Sequence, residues 1–162
     1  MGLAGVSIGA SLALLTAADP RLADRISVVA CIAPYTDMAN VMLLATTGTC
    51  RNGERFEPYA VPPYLWVGLA RSVTAILRPT AGIEALTAEL RAVDSAATDP
   101  AAMFRNRSFD ELGPEAATVL ALLTNRDPAR FDDLYADLPA HVKATVAALS
   151  PLPPRSLFPF PK

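Results

Sequence analysis

Hydrophobic and polar positions divide the chain into three stretches. The first is small and apolar. Gly2 to Gly9 carries no charge, and Ala10 to Ala18 is an unbroken run of helix formers closed by Asp19-Pro20. Ile26 to Ala33 follows as an apolar, β-branched run ending at Pro34. A run of this kind predicts a strand buried on both faces, as parallel sheets produce. The order is strand end, tight turn, helix, strand, which is most of a βαβ unit.

From Met38 the period is helical. Met38 to Ala45 is a short apolar stretch, and Thr46 to Pro58 reads as loop. Pro62-Pro63 opens a predicted helix to about Leu77, with Leu65, Leu69, Val73 and Ile76 on one face. Thr80 to Ala96 repeats the pattern with Ile83, Leu86, Leu90 and Val93. Ser108 and Glu111 fit a capping box ahead of a helix through Val119, Leu120, Leu122 and Leu123. Asp127-Pro128 and Leu138-Pro139 set Pro at the first helical position of two more helices. The third stretch, from residue 150, is Pro-rich and extended, because each Pro drives its predecessor away from the helical region.

Composition narrows the possibilities. At 162 residues the chain suits one domain. With 52% apolar and 19% charged residues it is not a disordered chain. The net charge of −2 excludes a strongly basic nucleic-acid binder. Cys31 and Cys50 are too few for a disulfide scaffold and lack zinc spacing, so no metal site is expected. Residues 1–18 carry no charge. They lack the positive start of a secretory signal, since the first basic residue is Arg21. Gly2, Ser7, Gly9, Ser11 and Thr16 interrupt them, short of the about 20 apolar residues a membrane span needs. A cytoplasmic chain with no membrane partner is expected; a membrane-anchored or exported protein using residues 1–18 is the competing reading.

Gly5-Val6-Ser7-Ile8-Gly9 matches G-x-S-x-G, in which Ser stands on a sharp, strained turn from strand to helix. Small flanking residues let strand and helix approach, and the helix N-terminus behind the Ser favours developing negative charge. Ser7 is then a candidate nucleophile and the backbone N–H of Ile8 a candidate oxyanion donor. The bland alternative is a Gly/Ser-rich turn packing a helix on a sheet.

Residues 3–38 as a whole resemble the nucleophile-elbow region of an α/β-hydrolase, in the branch of serine esterases and peptidases with a helical cap after the next strand. The resemblance implies a partial α/β-hydrolase core over residues 1–37, a mostly α-helical cap over 38–149, and an extended tail over 150–162 leading toward a further core strand. It also implies ester or amide hydrolysis through an acyl-Ser7 intermediate, a small-molecule ester or amide substrate, and no metal or organic cofactor.

A serine hydrolase needs a base to take the Ser proton and an acid to orient that base. In the family these follow the Ser in the order acid, His, on later strands. The resemblance therefore implies a chain incomplete at both ends, weakly active or inactive. Of the residues present, Asp37 is a candidate acid just past the second strand, or else a helix N-cap. His141, the single His, is a candidate base, or else a cap-surface side chain. Cys31 reads as core, and Asp132 with Asp133 as solvated surface. Trp66, Tyr64 and Tyr59 line a pocket or pack the cap, with packing preferred. With only two strands, open sheet edges invite self-association or a companion chain. The competing functional class is a non-catalytic helical interaction protein that needs such a companion.

Overall fold

β1 (Gly2–Val6) runs into α1 (Ile8–Ala18), and a short 3₁₀ turn (Ala23–Arg25) leads to β2 (Val28–Ile32). The two strands pair in parallel, from Gly2 opposite Val28 to Val6 opposite Ile32. This is the βαβ arrangement that the sequence predicts, in a computed structural model that describes residues 1–35, 37–106 and 112–150. The chain falls into two compact units, the first made of Met1–Val41 with the described residues from Ala144 on, and the second of Met42–Lys143. Their boundaries fall inside α2 (Met38–Thr47) and α8 (Ala140–Ala148).

In the first unit α1 packs on both strands. Ala10, Ser11 and Ala13 form its buried face, small enough to bring helix and sheet close. Ser11 Oγ ties the helix to the segment after β2, accepting from Tyr35 N at 3.1 Å and donating to Tyr35 O at 2.7 Å. The expectation of a strand buried on both faces is corrected here. Burial alternates along β1 and β2, and Val6, Val28 and Ile32 are 61–66% exposed. The run is apolar on both faces, but α1 covers one of them.

The second unit is helical, with α3 (Pro63–Thr74), α4 (Ala81–Ala92), α5 (Ala102–Arg105), α6 (Pro114–Thr124) and α7 (Phe131–Ala136). α3 packs on α4 and α6, and α6 on α5 and α7. The stripe expected on α4 is the one observed: Ile83, Leu86, Leu90 and Val93 are buried, and Thr80 caps the helix by accepting from Ile83 N. On α3 Val73 is buried as expected, while the other buried positions lie one residue further on, at Trp66, Ala70 and Leu77, and Leu65, Leu69 and Ile76 are half-buried. Trp66 sets that rotation. Its Nε1 donates to Leu123 O at 2.7 Å and its ring packs against Phe104. A buried indole needs an acceptor, and satisfying it fixes the helix about its axis. Tyr59 and Tyr64 are about 60% exposed, so they do not pack as expected.

α6 buries Val119, Leu120, Leu122 and Leu123, as their spacing predicts. It begins at Pro114 behind Gly113, whose φ of 77° suits glycine. Ser108 and Glu111 lie outside the described residues, as does the tail from 151 on. Pro128 opens a 3₁₀ turn (Pro128–Arg130) before α7, and Pro139 immediately precedes α8. The loop expected over 46–58 is partly a hairpin: β3 (Thr49–Asn52) pairs antiparallel with β4 (Arg55–Pro58) across Gly53-Glu54. Gly53, at φ 61°, takes the left-handed conformation that two-residue hairpin loops require.

Candidate functional site

Ser7 stands between the last residue of β1 and the first of α1. Its φ of 53° and ψ of −123° put a non-glycine residue in a region that costs about 1–3 kcal/mol. Three contacts hold it there. Ser7 N donates to Ile32 O of β2 at 2.9 Å, and Ser7 O accepts from Ala10 N at 3.0 Å and Ser11 N at 3.2 Å. The peptide therefore belongs to the sheet at one end and to the helix at the other, and the turn between them has no slack.

Gly5 explains how the turn can be so tight. A Cβ at Gly5 would lie 2.3 Å from both the carbonyl carbon and oxygen of Gly9 and 2.5 Å from Ala10 N, all backbone atoms. The first glycine of the motif is thus required by the close passage of α1 over β1. The second is not required by space, because a Cβ at Gly9 meets nothing within 4 Å. Only half of the expected steric role of the glycines is present.

The Ser7 side chain is exposed, and its hydroxyl does not cap α1. It is left available at the mouth of the turn. Ile8 N–H is the first of the N-terminal donors that an α-helix leaves without an intrahelical acceptor. It points out of the end of an 11-residue helix with no acidic residue in its first turn. Helix geometry therefore supplies a donor and a positive partial charge beside the hydroxyl. Val6, Ile8 and Ile32, all more than half exposed, make the surroundings apolar. Ala33, at φ 49°, is a second strained residue, directly after β2. Nothing in its sequence context announces it.

The two proposed partners of Ser7 are otherwise engaged. Asp37 caps α2: Oδ1 accepts from Ala39 N at 2.9 Å and Asn40 N at 3.4 Å, and Oδ2 from Asn40 Nδ2 at 2.9 Å. Both carboxylate oxygens serve the helix terminus. His141 belongs to the second unit, in the first turn of α8, where its Nε2 lies 3.2 Å from Glu115 Oε1 without hydrogen-bond alignment. The candidate nucleophile and the candidate oxyanion donor thus share one turn, while Asp37 is spent on the start of α2 and His141 belongs to the second unit.

Cys31 and Cys50 are free thiols. Cys31 Sγ lies 3.4 Å from Ala10 O under α1, consistent with a packing role. Asp132 is exposed and pairs with Arg51 at 2.8 Å. No group of three His, Cys, Asp or Glu side chains among the described residues could hold a metal ion. None of the described helices is long and apolar enough to cross a membrane. Comparison with protein-family models, with curated proteins and with solved structures gives no match in any of the three.

Proposed function

We propose that Ser7 is the nucleophile of a serine hydrolase acting on carboxylic esters or amides, carried on a partial α/β-hydrolase core. The observation that carries this reading is the strained Ser7 backbone, over-determined by sheet and helix, with Gly5 making the passage possible. Strain that the surroundings enforce on a polar, exposed residue is a mark of functional sites. In the proposed reaction Ser7 Oγ gives its proton to a base and attacks the substrate carbonyl, and Ile8 N–H donates to the oxygen that becomes negative. The tetrahedral intermediate expels the leaving group, which takes up that proton, and water then hydrolyses the acyl-Ser7 ester to release the acid and free Ser7. His141, the chain's single imidazole, is the candidate base. With Asp37 spent as a cap, the reading carries weak activity or none, because Asp37 is not available to orient a base.

A second reading, a non-catalytic interaction protein, is favoured by a different observation: the outer face of the β1–β2 sheet presents Val6, Val28 and Ile32 to solvent. Fluorophosphonate labelling read by intact mass separates the two. The hydrolase reading expects one adduct on the wild-type chain, none on Ser7→Ala, and slower labelling of His141→Gln. An adduct retained in Ser7→Ala, or none on a wild-type chain with a helical circular-dichroism spectrum, sinks it in favour of the interaction reading.

A further inference from the structure

The second unit contains a cleft of about 410 Å³ where α6 ends and the chain turns toward α7. Arg105 of α5, Arg126 and Arg130 line it, with Ala121, Asp127 and Leu134. None of these residues belongs to the Ser7 site.

The charge balance of the cleft is positive. Asp99 accepts from both Arg105 and Arg126 and neutralises one charge between them. Asp127 offsets a second, and its Oδ1 already accepts from Ala129 N at 3.0 Å. Among the described residues, three guanidiniums against two carboxylates leave one cation in excess. Arg130 pairs with no carboxylate among the described residues. The C-terminal end of α6 opposes an anion with about half a charge, which reduces the excess without cancelling it.

Two of the three guanidiniums are also held in place. Asp99 fixes Arg105 and Arg126 relative to one another, so a ligand need not order them. Arg105 Nε is shut off from solvent and has no hydrogen-bond partner. A buried donor in that state marks a place where the protein alone does not satisfy its own polar groups. Ala121 and Leu134 add an apolar wall. The volume exceeds what a bare inorganic anion fills.

We propose that this cleft binds a small organic monocarboxylate. Its carboxylate lies in the forks of Arg130 and Arg126, a geometry guanidinium matches with two parallel hydrogen bonds. Its apolar body rests on Ala121 and Leu134.

The test is a titration of the full ¹⁵N-labelled chain, with hexanoate as the probe and hexanamide, inorganic phosphate and sodium chloride at equal ionic strength as comparisons. Saturable shifts of the Thr124, Asn125 and Asp127 amides with hexanoate are expected. Hexanamide and chloride should leave them unmoved. Arg130→Gln should weaken binding roughly tenfold, the scale of one charge-assisted contact. Arg126→Gln is the second variant and should act in the same direction. Arg130 is exposed and pairs with no carboxylate among the described residues, so its replacement leaves the fold intact. Shifts that grow without saturating as they do in chloride would overturn the proposal. So would an equal response to hexanamide, tighter binding of phosphate at the same amides, or half-saturation unchanged in both variants.

Discussion

At Ser7 the side chain and the backbone pull in opposite directions. The backbone sits at φ 53° and ψ −123°, which glycine adopts freely and serine does not. Ser7→Gly is therefore expected to raise stability by about 1 kcal/mol, part of the strain released. Ser7→Ala keeps the Cβ and the strain, and should leave stability unchanged within about 0.5 kcal/mol. Urea midpoints of the two variants check this; an Ala variant as stabilised as the Gly variant would mean that the hydroxyl, not the backbone, carries the cost. The flanking glycines give an opposite pair. Gly5→Ala drives a Cβ to 2.3 Å from the Gly9 backbone, where no flexible side chain can yield. Overpacking against backbone should cost about 3 kcal/mol or more. Gly9→Ala meets open space on a helix and should gain up to about 1 kcal/mol from helix propensity. Equal effects at the two positions would contradict the close passage of α1 over β1.

At the scale of elements, what was legible in the sequence followed from local chemistry. The strand–helix–strand order is spelled by a Gly-rich start, a run of helix formers and a β-branched run, and the α4 stripe by regular apolar spacing ended by Thr80 and Val93. The rest depended on partners distant in the chain. The rotation of α3 is set by Trp66 finding Leu123 O, 57 positions away, and apolar spacing alone cannot see that acceptor. The hairpin over 49–58 was signalled by Asn52-Gly53 but hidden by poor alternation, since its residues are mostly exposed. The engagement of Asp37 as a cap was readable, whereas the pairing of His141 with Glu115 was not. Nor was the bridge through Asp99, which joins the segment before α5 to Arg105 on that helix and to Arg126 beyond α6. The Arg105 guanidinium, and then that of Arg126, hold the Asp99 carboxyl below its ordinary range. A carboxylate whose folded pKa is depressed contributes stability that is present above its unfolded value of about 3.9 and is lost as pH falls through the folded one. Unfolding midpoints in urea should therefore drop as pH falls below about 4, and less steeply for Asp99→Asn. An identical slope in that variant would show that the bridge adds nothing.

The whole chain must manage a sheet that is only half covered. β1 and β2 are parallel, and parallel sheets ordinarily have both faces buried. Here α1 takes one face, and the other presents Val6, Val28 and Ile32 at 61–66% exposure. The alternating register puts all three on the same side, with Val6 directly opposite Ile32. A two-stranded sheet of this kind is marginal without further cover. Exposed apolar surface next to strand edges also favours pairing with another chain. Charge does not prevent this, because the three residues lie in a stretch where no charged residue comes between Met1 and Asp19 on one side or between Arg25 and Asp37 on the other. Self-association through the first unit is the expected behaviour of the purified chain, growing with concentration and accompanied by binding of a hydrophobic dye. Replacing Val28 and Ile32 together with Lys introduces repulsion on that face and removes no buried contact, so the double variant should sediment as a monomer with an unchanged far-ultraviolet spectrum. Sedimentation velocity at low and high micromolar concentration makes the comparison. A wild-type chain that stays monomeric and binds no dye would mean that the face is stable in water as it stands, and the case for an interaction protein would lose its main support.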